Sequence, residues 1–164
     1  MQLSISRVFL PLVLAVSIIL TGCGFHLRGQ IDVPPSLMRM HVKGDDIELV
    51  NEVEKSLKFS SIEIVEEGAA DAALLDLSGT TYEKEVNDTD ASGIATSYKL
   101  TYTVPYVVRD AEQELLQREK LHQNRTLSYD AADILVFERE EQYLVEEMRK
   151  DLISQLLRRM SKIQ

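Results

Sequence analysis

The sequence predicts an α+β fold: a two-layer sandwich of about four mostly antiparallel strands with two helices on one face. Three observations lead there. Residues 37–43, 94–109 and 114–129 alternate apolar and polar side chains, the period of a half-buried strand. Residues 46–59 and the stretch from Phe137 onward instead repeat apolar residues at helical spacing. Two amphipathic helices cannot cover both faces of such a sheet, so the economical arrangement puts both on one side.

The elements follow in chain order. One positive charge, Arg7, precedes an apolar run from Val8 to Leu20 that ends in Leu20-Thr21-Gly22-Cys23. The run is shorter than the roughly 20 residues that span a bilayer, and it closes on small residues as a secretory signal does. A cysteine after Leu-Thr-Gly resembles the lipobox of bacterial lipoproteins, whose signal is cut before a cysteine that then carries lipid. As a plain thiol, Cys23 would stand unpaired in an oxidising compartment. As an anchor it needs several acyl chains, because each buried CH₂ contributes only about 0.8 kcal/mol and one chain holds marginally. Residues 1–22 are therefore expected to be a removed signal peptide, 23–36 a lipidated tether stiffened by Pro34-Pro35, and 37–164 a single α+β domain. Gly24 in place of Asp implies, by resemblance to lipoprotein sorting rules, the outer membrane.

In residues 37–43, Met38, Met40 and Val42 share one face and Arg39, His41 and Lys43 the other. Gly44-Asp45-Asp46 breaks the strand and offers a helix N-cap. Val50, Val53 and Leu57 then mark a first helix over 46–59. A short alternation at Ile62 and Ile64 precedes a loop over 66–71. Residues 73–86 read as one long strand, ended by turn residues 87–93. The clearest strand is 94–109, with Tyr98, Leu100, Tyr102, Val104, Tyr106 and Val108 on one face; Pro105 within it predicts an edge or a bulge. In 114–129, Leu115, Leu121, Leu127 and Tyr129 face one way, and Arg118, Lys120 and His122 the other. From Phe137, Val145, Met148, Leu152, Ile153, Leu156, Leu157 and Met160 form a helical stripe, with glutamates early and arginines late as the macrodipole prefers.

Charge narrows the partners. The formal charge of the whole chain is −9, and loss of Arg7 with the signal makes it −10. So acidic a protein is a poor general binder of nucleic acid or anionic membrane surface. Yet if the apolar faces meet the helices, the open sheet face collects Arg39, His41, Lys43, Lys99, Arg118, Lys120 and His122. A solvated outer face is the plain reading of that pattern, and a binding surface is the other.

No nucleophile elbow, P-loop, zinc motif or glycine-rich nucleotide fingerprint occurs. His26, His41 and His122 lack metal-ligand spacing, and acidic runs such as Glu138-Arg139-Glu140-Glu141 have no apolar pocket to tune a carboxyl for acid–base work. The expectation is a protein that is not an enzyme, with neither metal nor cofactor.

Cys23-Gly24-Phe25-His26-Leu27-Arg28-Gly29, followed by Val33-Pro34, resembles the mature N-terminus of the LptE family of lipopolysaccharide-assembly lipoproteins, once called rare lipoprotein B. The order of elements, the Tyr98–Val108 strand, the strand end at Arg125–Asp130 and the terminal helix extend the likeness more loosely. The resemblance implies a non-catalytic subunit that plugs the LptD β-barrel as a heterodimer, assists its assembly and helps deliver lipopolysaccharide to the outer leaflet. Size bears on this independently. A compact domain of this length is about 37 Å across, whereas a 16-stranded barrel leaves a lumen of only about 23 Å, so roughly 22 strands or more are needed. A polar, Thr-rich face suits a polar lumen.

Members of the family are thought to bind lipopolysaccharide partly through basic residues at one strand turn and ahead of the last helix. Here those places read Asn87-Asp88-Thr89-Asp90-Ala91 and Asp130-Ala131-Ala132-Asp133. The candidates for lipopolysaccharide or barrel contact move instead to Lys99, Arg118 and Lys120 on the open face. A generic outer-membrane adaptor, such as a secretin pilotin, fits the anchor and size equally well but not the Gly-Phe-His-Leu-Arg motif. A lipid-anchored hydrolase would need a site that no local motif announces.

Overall fold

The computed structural model describes residues 33–110, 113–130 and 132–163. The expected signal segment, Cys23 and the tether as far as residue 32 lie outside the described residues. The elements are β1 (Arg39–Lys43), α1 (Ile47–Phe59), β2 (Glu63–Ile64), β3 (Ala73–Asp76), β4 (Thr81–Thr89), β5 (Ala95–Arg109), β6 (Glu114–Ser128) and α2 (Ile134–Met160).

They form one six-stranded sheet, not four strands, and it is mixed where a mostly antiparallel one was expected. β1 pairs in parallel with both β2 and β3. Helix α1 causes the first parallel pair, because it carries the chain back to the starting end before β2 begins. β3 then runs antiparallel to β5, and so does β4. β5 is the spine of the sheet. Its partner β6 runs along one edge from Ser97 to Arg109, while β4 and β3 share the opposite edge in succession.

That sharing corrects the reading of 73–86 as one strand. Leu77–Thr80 interrupts it, with Gly79 at φ +89°, and the turn is tied to the β1–α1 loop by the Gly79 N–H donating to Asp45 at 2.5 Å. Pro105 is accordingly at neither an edge nor a bulge of β5. It falls between Thr103, the last residue opposite β4, and Val107, the first opposite β3. No strand on that flank requires its missing N–H. A Cβ on Gly79 would sit 3.6 Å from the proline ring, so the turn closes against Pro105 itself.

Both helices cover the same sheet face, as expected. Met40, Val42, Leu75, Leu100, Tyr102, Val104, Tyr106, Val108 and Leu121 supply the sheet side of the core. Leu49, Val53 and Leu57 of α1 meet them, with Val50 only partly buried; Met148, Leu152, Ile153, Leu156, Leu157 and Met160 of α2 complete the layer. Met38 departs from the expected pattern. A 3₁₀ turn over Pro35–Leu37 buries Leu37 and leaves Met38 exposed, so the alternation begins only at Arg39. α2 starts one turn earlier than its clear periodicity, at Ile134.

Polar ties fix the helices to the sheet. Asp46 caps α1 by accepting the Leu49 N–H at 2.9 Å, and its other oxygen accepts the Tyr102 hydroxyl from β5. Arg149 of α2 pairs with Glu48 and Glu52 of α1. Further along α2, Glu141 accepts the Tyr82 hydroxyl at 2.6 Å and pairs with Lys84 at 2.7 Å. Near the end of α2, Arg159 donates to the Tyr106 hydroxyl at 2.9 Å, which donates to Glu119 at 2.9 Å.

Burial alone would raise the carboxyl pKa of Asp46. The Tyr102 and Leu49 hydrogen bonds and the nearby Arg149 charge outweigh it and hold the group below its ordinary value. Burial likewise opposes ionisation of Glu141, and Lys84 and Tyr82 reverse the sign. Carboxylates whose folded pKa is depressed stabilise the native state above the unfolded value of about 4, and that stability is lost as pH falls through the lower folded values. Urea unfolding between neutral pH and pH 2 should therefore show a decline below about pH 4, shallower in Asp46→Asn; an unchanged slope in that variant would contradict the assignment. Gly79→Val should cost about 2 kcal/mol at neutral pH, because a β-branched residue is strained at positive φ, and Gly79→Asn distinctly less.

Candidate functional site

The face of the sheet away from the helices carries the candidate residues, and the register arranges them in rows. Lys99 pairs with Thr126 on one side and Glu85 on the other; the next rows are Glu83–Thr101–Asn124 and Thr81–Thr103–His122. Pro105 pairs with Lys120, and Lys43, Asp76 and Val107 line up across β1, β3 and β5. Period-two alternation puts every member of a row on one face. The upper half of this face is short and polar, with the Thr101 hydroxyl donating to Asn124 at 2.9 Å. The lower half is the basic part.

All seven basic residues expected on the open face lie there, but they do not form one site. Arg118 and Lys120 are two residues apart on β6, about 7 Å, whereas Lys99 is level with Thr126 and so about 20 Å from Lys120. Arg39 is held by Glu63 at 3.3 Å and by the Ala70 carbonyl at 3.0 Å, and the His41 ring is 3.2 Å from the Val65 carbonyl. These two fasten the β2–β3 connection. Lys99 and Lys120 are exposed and have neither hydrogen bond nor ion pair among the described residues.

The structure adds one residue to the patch that alternation alone left out. Asp76 sits beside Lys43, and Arg118 reaches it at 3.7 Å, longer than a strong ion pair. Burial opposes ionisation of Asp76, but hydrogen bonds from Ser78 and the charges of Arg118 and Lys43 keep its pKa below the ordinary value. Two cations, Lys43 and Arg118, thus share this carboxylate, and Lys120 lies beside Arg118 on β6 without a carboxylate of its own among the described residues. The Leu75/Asp76 alternation could have signalled this residue; its meeting with Lys43 depends on the parallel β1–β3 register, and its meeting with Arg118 on the β3–β5 register and the β6 bulge near Tyr106–Val108. Val107 is buried although it faces this side and lies outside the core cluster, so the patch has an apolar floor. Such a patch suits phosphate or carboxylate groups carried on a larger ligand.

On the opposite side, α1 and α2 diverge over a groove of about 720 Å³ lined by Glu48, Glu52, Glu138, Glu141 and Glu146. Arg149 crosses it to pair with α1, and its Nε makes no hydrogen bond. Among the described residues no group of three His, Cys, Asp or Glu could hold a metal ion, and no helix is long and apolar enough to cross a membrane.

Several known proteins are similar to this chain. A family model for lipopolysaccharide assembly, LptE, matches residues 31–160. The LPS-assembly lipoprotein LptE of Photorhabdus laumondii is 27% identical over 155 residues, covering 92% of this chain and 84% of its own length. That of Yersinia enterocolitica is 26% identical, with 92% and 74% covered. Among solved structures, rare lipoprotein B of Shewanella oneidensis aligns with a TM-score of 0.66 at 26% identity, over 75% of this chain and 93% of its own. Lipoprotein B of Nitrosomonas europaea, at 24% identity and a TM-score of 0.65 over 84% and 90%, shares the fold.

Proposed function

The chain belongs to the LptE lipopolysaccharide-assembly family, and from that premise we propose that it is the lipid-anchored outer-membrane subunit that plugs an LptD-like β-barrel and assists its assembly. The observation that carries this reading is the family match across nearly the whole described domain. Cys23 is the proposed attachment point, on the periplasmic side of the outer membrane, with the domain reaching into the barrel lumen.

The geometry supports such a role in two ways. β5 is 15 residues long and spans about 45 Å, so the domain would enter a lumen end-on, by its cross-section. Its uncovered sheet face offers threonines and asparagine in register, the kind of surface that exchanges water for a polar lumen wall at little cost. The basic part of that face is the proposed contact for phosphorylated lipopolysaccharide. Arg118 and Lys120 are its centre, Lys43 joins them, and Lys99 acts separately, at the upper rows.

A detergent pull-down of the tagged full-length protein from outer membranes is expected to recover one large β-barrel protein in near one-to-one amount, resistant to salt. Recovery alone, or with an unrelated secretion machine, would overturn the barrel reading. Lipopolysaccharide binding by Arg118→Glu/Lys120→Glu should fall about tenfold or more, since two charge-assisted contacts become repulsions, while Lys99→Glu should cost less. Undiminished binding by the folded double variant would remove this patch as the contact.

A further inference from the structure

The cations at the base of the sheet, near the Arg109 end of β5, are not all held alike. Of the arginines in the strands, Arg39 donates to Glu63 at 3.3 Å, Arg109 pairs with Glu114 at 2.8 Å, and Arg125 pairs with Asp151. Arg118 differs: its Nη2 stops 3.7 Å from Asp76, and its side chain is 53% exposed. A guanidinium carries five donors in a planar fork, and no described residue takes a hydrogen bond from this one. Lys43 and Lys120 likewise make neither hydrogen bond nor ion pair among the described residues.

Asp76 is the opposite case. Its Oδ1 accepts the Ser78 N–H at 2.9 Å, and its side chain is only 16% exposed. Leu75 and Leu77 on either side are fully buried toward the helices, which fixes the facing of the residue between them. The carboxylate is thus seated low, in one row with Lys43 and Val107. Tyr106 pairs with Glu119 and Val108 with Leu116, which leaves Gln117 and Arg118 opposite Val107. A bulge of this kind re-aims a side chain, and here it brings Arg118 to Asp76. Pro105 and Val107 are buried beneath the group, and charges over an apolar floor are screened less than charges in open water. The neighbouring carboxylates are committed elsewhere, Glu114 to Arg109 and Asp45 to the Gly79 N–H. An asparagine would accept the Ser78 N–H equally well, so the turn does not require a charge at this position.

We propose that Asp76 is a resident counter-ion, which holds the affinity of this patch for phosphate esters low enough for the bound group to be released. A phosphate arriving from solvent takes the open donors of Arg118 and the ammonium groups of Lys43 and Lys120, while Asp76 stays anchored on Ser78. The anion then has cations around it and one fixed carboxylate beneath it, and that repulsion weakens the contact. Such a contact exchanges its ligand, as a protein that passes its ligand on requires. The counter-ion role rests on the geometry of the patch; only the identity of the ligand as lipopolysaccharide rests on the function proposed above.

The test titrates the full-length protein, in nonionic detergent, with inorganic tripolyphosphate and with purified lipopolysaccharide, at low salt and at about 1 M salt. Asp76→Asn should bind both probes about fivefold to tenfold more tightly at low salt, with most of the gain lost at high salt. Asp76→Ser, which removes the same charge with a shorter side chain, should gain as well. Placed in an Arg118→Gln/Lys120→Gln background, Asp76→Asn should add less than about twofold, because the groups it competes for are gone. Absence of binding to either probe, or unchanged or weaker binding by Asp76→Asn, would overturn the proposal. So would a gain that survives in the neutralised background, which would be an effect of net charge alone. A gain with tripolyphosphate, but no lipopolysaccharide binding by any variant, would keep the counter-ion and remove the lipopolysaccharide reading. Lipopolysaccharide binding that Arg118→Glu/Lys120→Glu weakens and Asp76→Asn leaves unchanged would do the reverse.

Discussion

The structure depends on one uninterrupted alternation. Along β5, Tyr98, Leu100, Tyr102, Val104, Tyr106 and Val108 all turn toward the helices, and the residues between them all turn away. A slip of one residue would expose six large apolar side chains and bury Lys99. Because β5 serves β6 along one edge and β4 and β3 along the other, its register sets the facing of those three strands directly, and β1 and β2 follow in turn from β3. Pro105 fits in the middle of this strand only because the chain leaves a gap between β3 and β4 beside it.

Burial of the apolar stripes holds α1 and α2 to the sheet, but it does not fix how far either helix slides along β5. The tyrosine hydroxyls do that. Tyr82, Tyr102 and Tyr106 each present an apolar ring to the helix layer and a polar tip to a charged residue. Their partners, Glu141, Asp46 and the Arg159–Glu119 pair, lie at successive heights. Burial and a carboxylate acceptor raise the Tyr82 and Tyr102 pKa values, which keeps both hydroxyls protonated as donors across the physiological range. Asp46 and Glu141, both held below their ordinary values, take the complementary role as acceptors.

An acidic chain thereby presents two unlike surfaces at separate heights. Near the base, the open sheet carries Lys43, Arg118 and Lys120 around Asp76. At the far end of β5, carboxylates and exposed Arg139 lie around exposed aliphatic side chains. The first has the charge that suits an anion.

The chain determined by itself what depends on neighbouring residues. Strand and helix periods, the side of the sheet on which Lys43, Lys99, Arg118 and Lys120 fall, the Asp46 cap and the acidic loops 87–91 and 130–133 were all legible. Each follows from local backbone geometry and side-chain alternation. Tertiary structure decided the rest. Two-residue β2 has no readable period, and the parallel pairing of β1 with β3 rests on hydrogen bonds between segments some thirty residues apart. The β1–β3 pairing brings Asp76 to Lys43, the β3–β5 and β5–β6 pairings bring it to Arg118, and the β5–β6 register separates Lys99 from Lys120. Alternation states which face a residue takes; position along that face is set by register, and register is an agreement between distant segments that neither records alone.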